Sequence, residues 1–203
     1  MRIPMLLEKV NWFEEKISLR RELFSNFLED QKQCGSLFKA IEIMENILKK
    51  SQKILVFGNG GSATQSSHLA AELVNKFYFE RKALPALALT ADVANITSIA
   101  NDSDFRFIFS RQLEALGQKG DAVVGITTSG ASANVLEAFK TAKEMNLDTI
   151  ALCGQNKAAL EKLDLDVIVA VNSQDTPLIQ EMHLFILHTM AEVLEKNFFG
   201  GKE

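Results

Sequence analysis

From residue 53 to the end of the chain, short apolar runs alternate with stretches of helical pattern. The runs cover residues 54–57, 84–89, 122–126, 149–153 and 167–171. They lack the in–out alternation of a strand facing water, so they read as strands buried on both faces. Helical segments are expected at 63–76, between 92 and 116, at 132–145 and at 177–197. Strands joined through helices pair in parallel, so the expected class is α/β, with a doubly wound five-stranded parallel sheet flanked by helices. Ligands in such sheets bind beyond the carboxyl ends of the strands, where the strand order switches. Any site is therefore expected in the turns that follow the runs.

The first of these turns is the most informative. The run at 54–57 stops at Gly58, and Asn59, Gly60, Gly61 and Ser62 follow before good helix formers begin. Glycines let the backbone approach a ligand that a side chain would push away, and Ser62 is expected to cap the helix. Unpaired N–H groups and the helix dipole together make such a turn an anion site. It is neither a Walker loop, since no Gly-Lys-Ser/Thr follows, nor a dinucleotide fingerprint, since its third glycine is misplaced. No nucleotide cofactor is expected. His68 and Glu72 follow at i and i+4, on one face of the helix.

A second anion-ready turn follows the third run, where Thr127, Thr128, Ser129 and Ser132 place four hydroxyls around Gly130. Side-chain O–H and backbone N–H donors can together satisfy a phosphate there. Asn101 and Asp102 form a polar pair inside otherwise apolar helical sequence. Of the three histidines, two lie on the last helix. His188 is about 80° around that helix from Gln180, so the two point broadly the same way. His183 is about 140° from His188 and is expected to make a structural hydrogen bond.

Ahead of the alternating region, residues 1–52 read as two amphipathic helices with a break expected in 31–35. Leu6, Val10, Phe13 and Ile17 share one face, and Leu37, Ile41, Met44 and Leu48 another. These faces need cover from the sheet or from a partner subunit, and Trp12 and Phe13 are assigned to that packing. A chain of 203 residues fits one domain with a full core. Its net charge of −4 offers no global positive field, so neither nucleic acid nor an anionic membrane is expected as a partner. Cys34 and Cys153 read as buried free thiols of a reducing compartment. Glu8 and Lys9 interrupt any signal-like apolar segment, and no run reaches membrane-spanning length, so a cytoplasmic protein is expected.

Four motifs, GNGGSATQSSHLAAEL, TADVANITSIANDSDF, GDAVVGITTSGASANV and TPLIQEMHLFILH, resemble those of the sugar isomerase (SIS) domain family. Within it, the chain resembles the phosphoheptose isomerases over nearly its whole length. The resemblance implies a flavodoxin-like SIS domain over 1–203, with 1–52 as a helical extension for packing and oligomerisation and 53–203 as the α/β core. It implies conversion of D-sedoheptulose 7-phosphate to D-glycero-D-manno-heptose 7-phosphate through an enediol, for bacterial heptose, lipopolysaccharide or capsule biosynthesis. Glu72 and His188 match the acid/base positions, and His68, Glu72, Gln180 and His188 the positions that hold zinc in several members. Asn59, Gly60, Gly61, Ser62, Glu72, Asn101, Asp102, Thr127, Thr128, Ser129, Ser132 and Gln180 match substrate-contacting positions. A homotetramer with active sites at subunit interfaces is implied as well.

The chain departs from the family at Ala131, where asparagine is common, and at Thr127, Lys76 and Leu178, the last two in place of arginines. Lys76 keeps the charge without the bidentate fork. Two other readings stand beside the isomerase. One is a non-catalytic SIS protein, either a phosphosugar sensor or a partner of the replication initiator; the other is an isomerase of a different sugar phosphate. Intact Glu72 and His188 favour the enzyme.

Overall fold

The computed structural model describes residues 3–200, and side chains from residue 9 onward. Two long helices come first, α1 (Ile3–Glu29) and α2 (Gln31–Lys49). The alternating region follows as β1 (Ile54–Gly58), α3 (Gly61–Val74), β2 (Ala86–Ala88), α4 (Val93–Asp102) and a 3₁₀ turn at Phe105–Phe107. Then come α5 (Ser110–Leu116), β3 (Ala122–Thr127), α6 (Ala133–Glu144) and β4 (Asp148–Cys153). The one-turn α7 (Ala158–Glu161), β5 (Val167–Ala170) and α8 (Thr176–Phe199) are the last of the described elements.

The five strands lie in the order β2-β1-β3-β4-β5, all parallel. The chain goes from β1 to β2 on one side and then returns to β3 on the other. β1 and β3 are thus neighbours, with Gly58 opposite Ile126, and the turns that leave them lie side by side at the switch point. Alternate residues of each strand feed opposite cores. Ile54, Val56, Val124, Ile126, Ile150 and Leu152 pack under α2, α3 and α8. On the other face, Leu55, Phe57, Val123 and Ala151 pack under α5 and α6. Phe57 sits between Phe109 and Phe139, each with its ring centre 5.4 Å away. Removing such a buried ring costs about 3–5 kcal/mol.

The helices that matter for function, α3 and α8, share one face of the sheet. Leu69 and Leu73 from α3 enter the same core as Ile179, Met182, Ile186 and Met190 from α8. Among the described residues, no helix is long and apolar enough to cross a membrane.

Several local expectations are corrected. The break between the first helices is the single residue Asp30, whose carboxylate accepts from the Gln33 N–H at 3.0 Å; residues 31–35 are already helical. Gly35 is tolerated there at the usual cost of about 1 kcal/mol relative to alanine. Ser62 is not the cap of α3. Gly60 holds that position with φ +55°, a conformation that favours glycine, and the helix starts one residue ahead of Ser62. Strand β2 is half the expected length. Leu37, Ile41, Met44 and Leu48 are buried, as their spacing implies. Val10, Trp12, Phe13 and Ile17 are exposed, with Trp12 and Phe13 both at 59%, so within one chain this face is uncovered. Leu6 lies outside the residues whose side chains are described.

Candidate active site

The approach of α3 to α8 starts at the glycine turn. A Cβ on Gly61 would lie 2.3 Å from the Gln180 amide nitrogen, so glycine here lets the Gln180 side chain rest against the turn, where a larger residue would push it aside. One turn into α3, Gln65 donates from Nε2 to the Gln180 carbonyl at 2.6 Å and ties the two helices together. A cleft of about 460 Å³ opens above this contact, lined by Gly61, Gln65, His68, Gln180 and Glu181 among others.

His68, Glu72 and His188 converge beside it. The two Nε2 atoms of His68 and His188 are 2.9 Å apart, and His68 Nε2 is 3.2 Å from Glu72 Oε1. The i,i+4 spacing in α3 stacks His68 over Glu72, and His188 completes the group from α8. The His68 and Glu72 side chains keep 42% and 23% of their surface, enough for a small molecule to reach them.

This donor set fits a zinc ion. The three ligand atoms lie within 4.8 Å of one another. Bonds of about 2.0–2.1 Å in tetrahedral geometry separate neighbouring ligand atoms by ~3.3 Å, close to the distances observed. Two imidazoles and a carboxylate are common zinc ligands. Gln180, the fourth residue the resemblance implies, lines the same cleft as His68, though a carboxamide is a weaker donor. Among the described residues, this is the one cluster of three or more His, Cys, Asp or Glu side chains that converges in this way.

The second anion-ready turn also forms. The hydroxyls of Thr127, Ser129 and Ser132 make a triangle with edges of 3.3–3.4 Å. The N–H groups of Gly130 and Ala131 donate to Thr127 Oγ1 and Ser129 Oγ at 3.2 Å, which holds the cup's shape. Ser132 occupies the N-cap of α6 without making a side-chain cap bond, so its hydroxyl is not consumed by helix capping. Thr128 lies outside the triangle.

Asn59 joins this turn to the first one. Its amide exchanges two 2.8 Å hydrogen bonds with Asn134 in the first turn of α6. Sequence reasoning missed Asn134, which its position two residues beyond Ser132 could have flagged. Ser62 is buried at 3% exposure, beneath the turn. Asn101 and Asp102 are exposed at the end of α4 and bond to each other at 2.7 Å. The hollow that Asp102 lines shares no residue with the cleft of His68 and Gln180.

Two buried groups stay out of the chemistry. His183 is fully buried and bonds through Nε2 to the Cys153 carbonyl at 3.2 Å, the structural role expected of it. Burial pushes its pKa down to about 4 and outweighs that hydrogen bond, which acts the other way. Burial likewise pushes the Cys153 thiol up to about 12, so it is not a nucleophile at neutral pH.

Comparison with known proteins adds to this geometry. A family model described as the SIS domain matches residues 18–154. A phosphoheptose isomerase of Campylobacter jejuni serotype O:6 is 48% identical over 164 residues, covering 81% of this chain and 88% of its own. One from Clostridium acetobutylicum is 42% identical over 192 residues, covering 95% and 97%. The solved structure of the Neisseria gonorrhoeae phosphoheptose isomerase superposes with a TM-score of 0.80 at 39% identity, covering 94% of this chain and 99% of that one.

Proposed function

The chain belongs to the phosphoheptose isomerases of the SIS-domain family, and from that premise we propose that it interconverts sedoheptulose 7-phosphate and D-glycero-D-manno-heptose 7-phosphate. The observation that carries the assignment of roles is the convergence of His68, Glu72 and His188 between α3 and α8.

Moving a carbonyl from C2 to C1 requires a proton to leave C1 and another to reach C2, with an enediol between. Glu72 takes the C1 proton and returns it to C2, since one carboxylate can serve two adjacent carbons on the same face. His188 moves the matching proton between the two oxygens, donating to O2 as O1 gives one up. The hydroxyl cup of Thr127, Ser129 and Ser132 receives the phosphate, with the open N-terminus of α6 beneath it. The Asn59–Asn134 pair sets the distance between the phosphate end and the reacting end.

We further propose that His68, Glu72, Gln180 and His188 hold zinc. When bound, it supplies a Lewis acid for the sugar's carbonyl and hydroxyl oxygens. His68 then serves chiefly as a ligand, while Glu72 and His188 keep their place beside the substrate. A homotetramer is proposed from α1, whose exposed Trp12, Phe13 and Ile17 line an apolar hollow of about 450 Å³ against the start of α8. A second copy of the chain is the cover proposed for it.

Glu72→Gln tests the chemistry. It keeps the side chain's size, so phosphosugar binding should persist. Exchange of the C1 proton with deuterated water, followed by NMR, should drop by about 10⁴-fold or more, at or beyond the upper end of general-base effects. Undiminished exchange in Glu72→Gln removes that residue from the mechanism. A wild-type protein that binds heptulose phosphate and exchanges nothing favours the sensor reading.

A further inference from the structure

The connection between α3 and β2 is gripped by a buried ion pair. Arg81 Nε donates to Glu195 Oε1 at 2.7 Å, and the two side chains are 1% and 0% exposed. The same carboxylate accepts the backbone N–H groups of Phe77, Tyr78 and Phe79 at 2.7, 2.5 and 3.0 Å. Burial alone would raise the Glu195 pKa, but these N–H donors and the guanidinium hold it below the ordinary carboxylate range. The other arm of Arg81 reaches the end of α3. It donates to the Glu72 carbonyl at 2.6 Å and to the Leu73 carbonyl at 2.9 Å, groups that a helix end leaves without intrahelical partners.

Each end of this clasp leads to one member of the acid/base pair, the Arg81 end directly and the Glu195 end through Phe77. On the α3 side, the guanidinium holds the backbone of Glu72 itself. On the α8 side, Glu195 lies two turns beyond His188. The backbone that Glu195 grips carries Phe77, whose ring lies 5.7 Å from the His188 ring at 48°. A clasp that only closed a loop would be cheaper in apolar side chains, since burying an ion pair carries a large desolvation cost. We propose that Arg81 and Glu195 are positioning residues for the isomerisation, fixing the 77–82 segment so that Glu72 and His188 keep the spacing that proton transfer needs. This rests on the assignment of Glu72 and His188 as the acid/base pair.

Three variants test it: the double substitution Arg81→Met with Glu195→Met, the single Arg81→Lys, and Phe77→Leu. Each is assayed for conversion of sedoheptulose 7-phosphate, with kcat and KM separated and the urea midpoint measured alongside. The double variant leaves no unpaired buried charge, but it takes the acceptor from the Phe77, Tyr78 and Phe79 N–H groups, so its urea midpoint should fall. Its kcat should fall roughly 10–100-fold, as for other residues that orient catalytic groups through a hydrogen bond, with KM little changed. Arg81→Lys, which cannot span Glu195 and both carbonyls at once, should lose kcat in the same direction. Phe77→Leu leaves every backbone N–H in place and should show a smaller kcat loss at an unchanged urea midpoint. Wild-type kcat in Phe77→Leu and in whichever Arg81 variants fold overturns the proposal, whatever their midpoints. A wild-type protein that binds the phosphosugar without converting it overturns the isomerase reading, and this one with it. Conversion by wild type matched by the variants overturns the positioning role alone.

Discussion

His183 offers a test in which pH acts through one buried ring. The folded protein holds it neutral, with its pKa near 4 where 6.5 is the ordinary value. The unfolded chain therefore binds a proton that the folded chain refuses. The resulting penalty is absent well above pH 6.5 and grows as the pH falls towards 4, so stability rises with pH across that window. At about 1.4 kcal/mol per pH unit, the full effect is roughly 3 kcal/mol. By pH 5 about 2 kcal/mol of it is already present. His183→Leu should remove this dependence. The substitution leaves the Cys153 carbonyl paired, because it also accepts from the Val171 N–H at 2.9 Å, and it deletes a buried Nδ1 that has no partner among the described residues. Urea unfolding of both proteins at pH 7 and pH 5, at one protein concentration, gives the comparison. Wild type should lose about 2 kcal/mol more than the variant over that interval. His68 and His188 are present in both proteins and cancel. Equal losses would mean that the buried ring does not govern the acid response.

Other outcomes are expected at the site. Ser129→Ala and Ser132→Ala each remove a donor to a desolvated phosphate, worth about 1.5–3 kcal/mol, and should raise KM roughly 10–100-fold; unchanged phosphosugar affinity in both would place the phosphate elsewhere. Protein purified without chelator should carry zinc at up to about one ion per subunit, and His68→Ala should lose it by elemental analysis; metal-free protein with chelator-resistant activity would retire the zinc role. Asn134→Ala leaves the Asn59 amide without its partner and should weaken phosphosugar binding in titration calorimetry while lowering stability by about 1–3 kcal/mol; unaltered affinity would leave the pair a purely structural one.

What the sequence made legible was local. Each apolar run identified its own strand, and the spacing of His68 and Glu72 sets one side of the cluster by helix geometry alone. The hydroxyl cup lies within the six consecutive residues 127–132, so composition reveals it. The contacts it hid are those decided by strand order. Asn59 and Asn134 are 75 residues apart, and Arg81 and Glu195 are 114 apart; nothing in either neighbourhood names the other. Ser62 misled because it is a good capping residue, and only the positive φ of Gly60 moves the helix start ahead of it. Asn101 and Asp102 stand out in the sequence as a polar pair, and the structure puts them at the end of α4, which periodicity does not specify. For Trp12 and Phe13 it marked an apolar face without saying whether the sheet or another chain covers it. The one-turn α7 is too short to have a period.

The two helices that carry the cluster sit far apart in the chain, at Gly61–Val74 and Thr176–Phe199. Synthesis runs from the N-terminus at about 5–20 residues per second, so Glu72 leaves the ribosome on the order of ten seconds before His188 is made. For that interval the inner faces of α2 and α3 have no α8 to close over them, and Leu69 and Leu73 are open to chaperones or to other nascent chains. A chain stopped within α8 ahead of His188 contains both anion-ready turns and an incomplete cluster. Translation thus delivers Glu72 and both glycine- and serine-rich turns before His188 completes the acid/base pair.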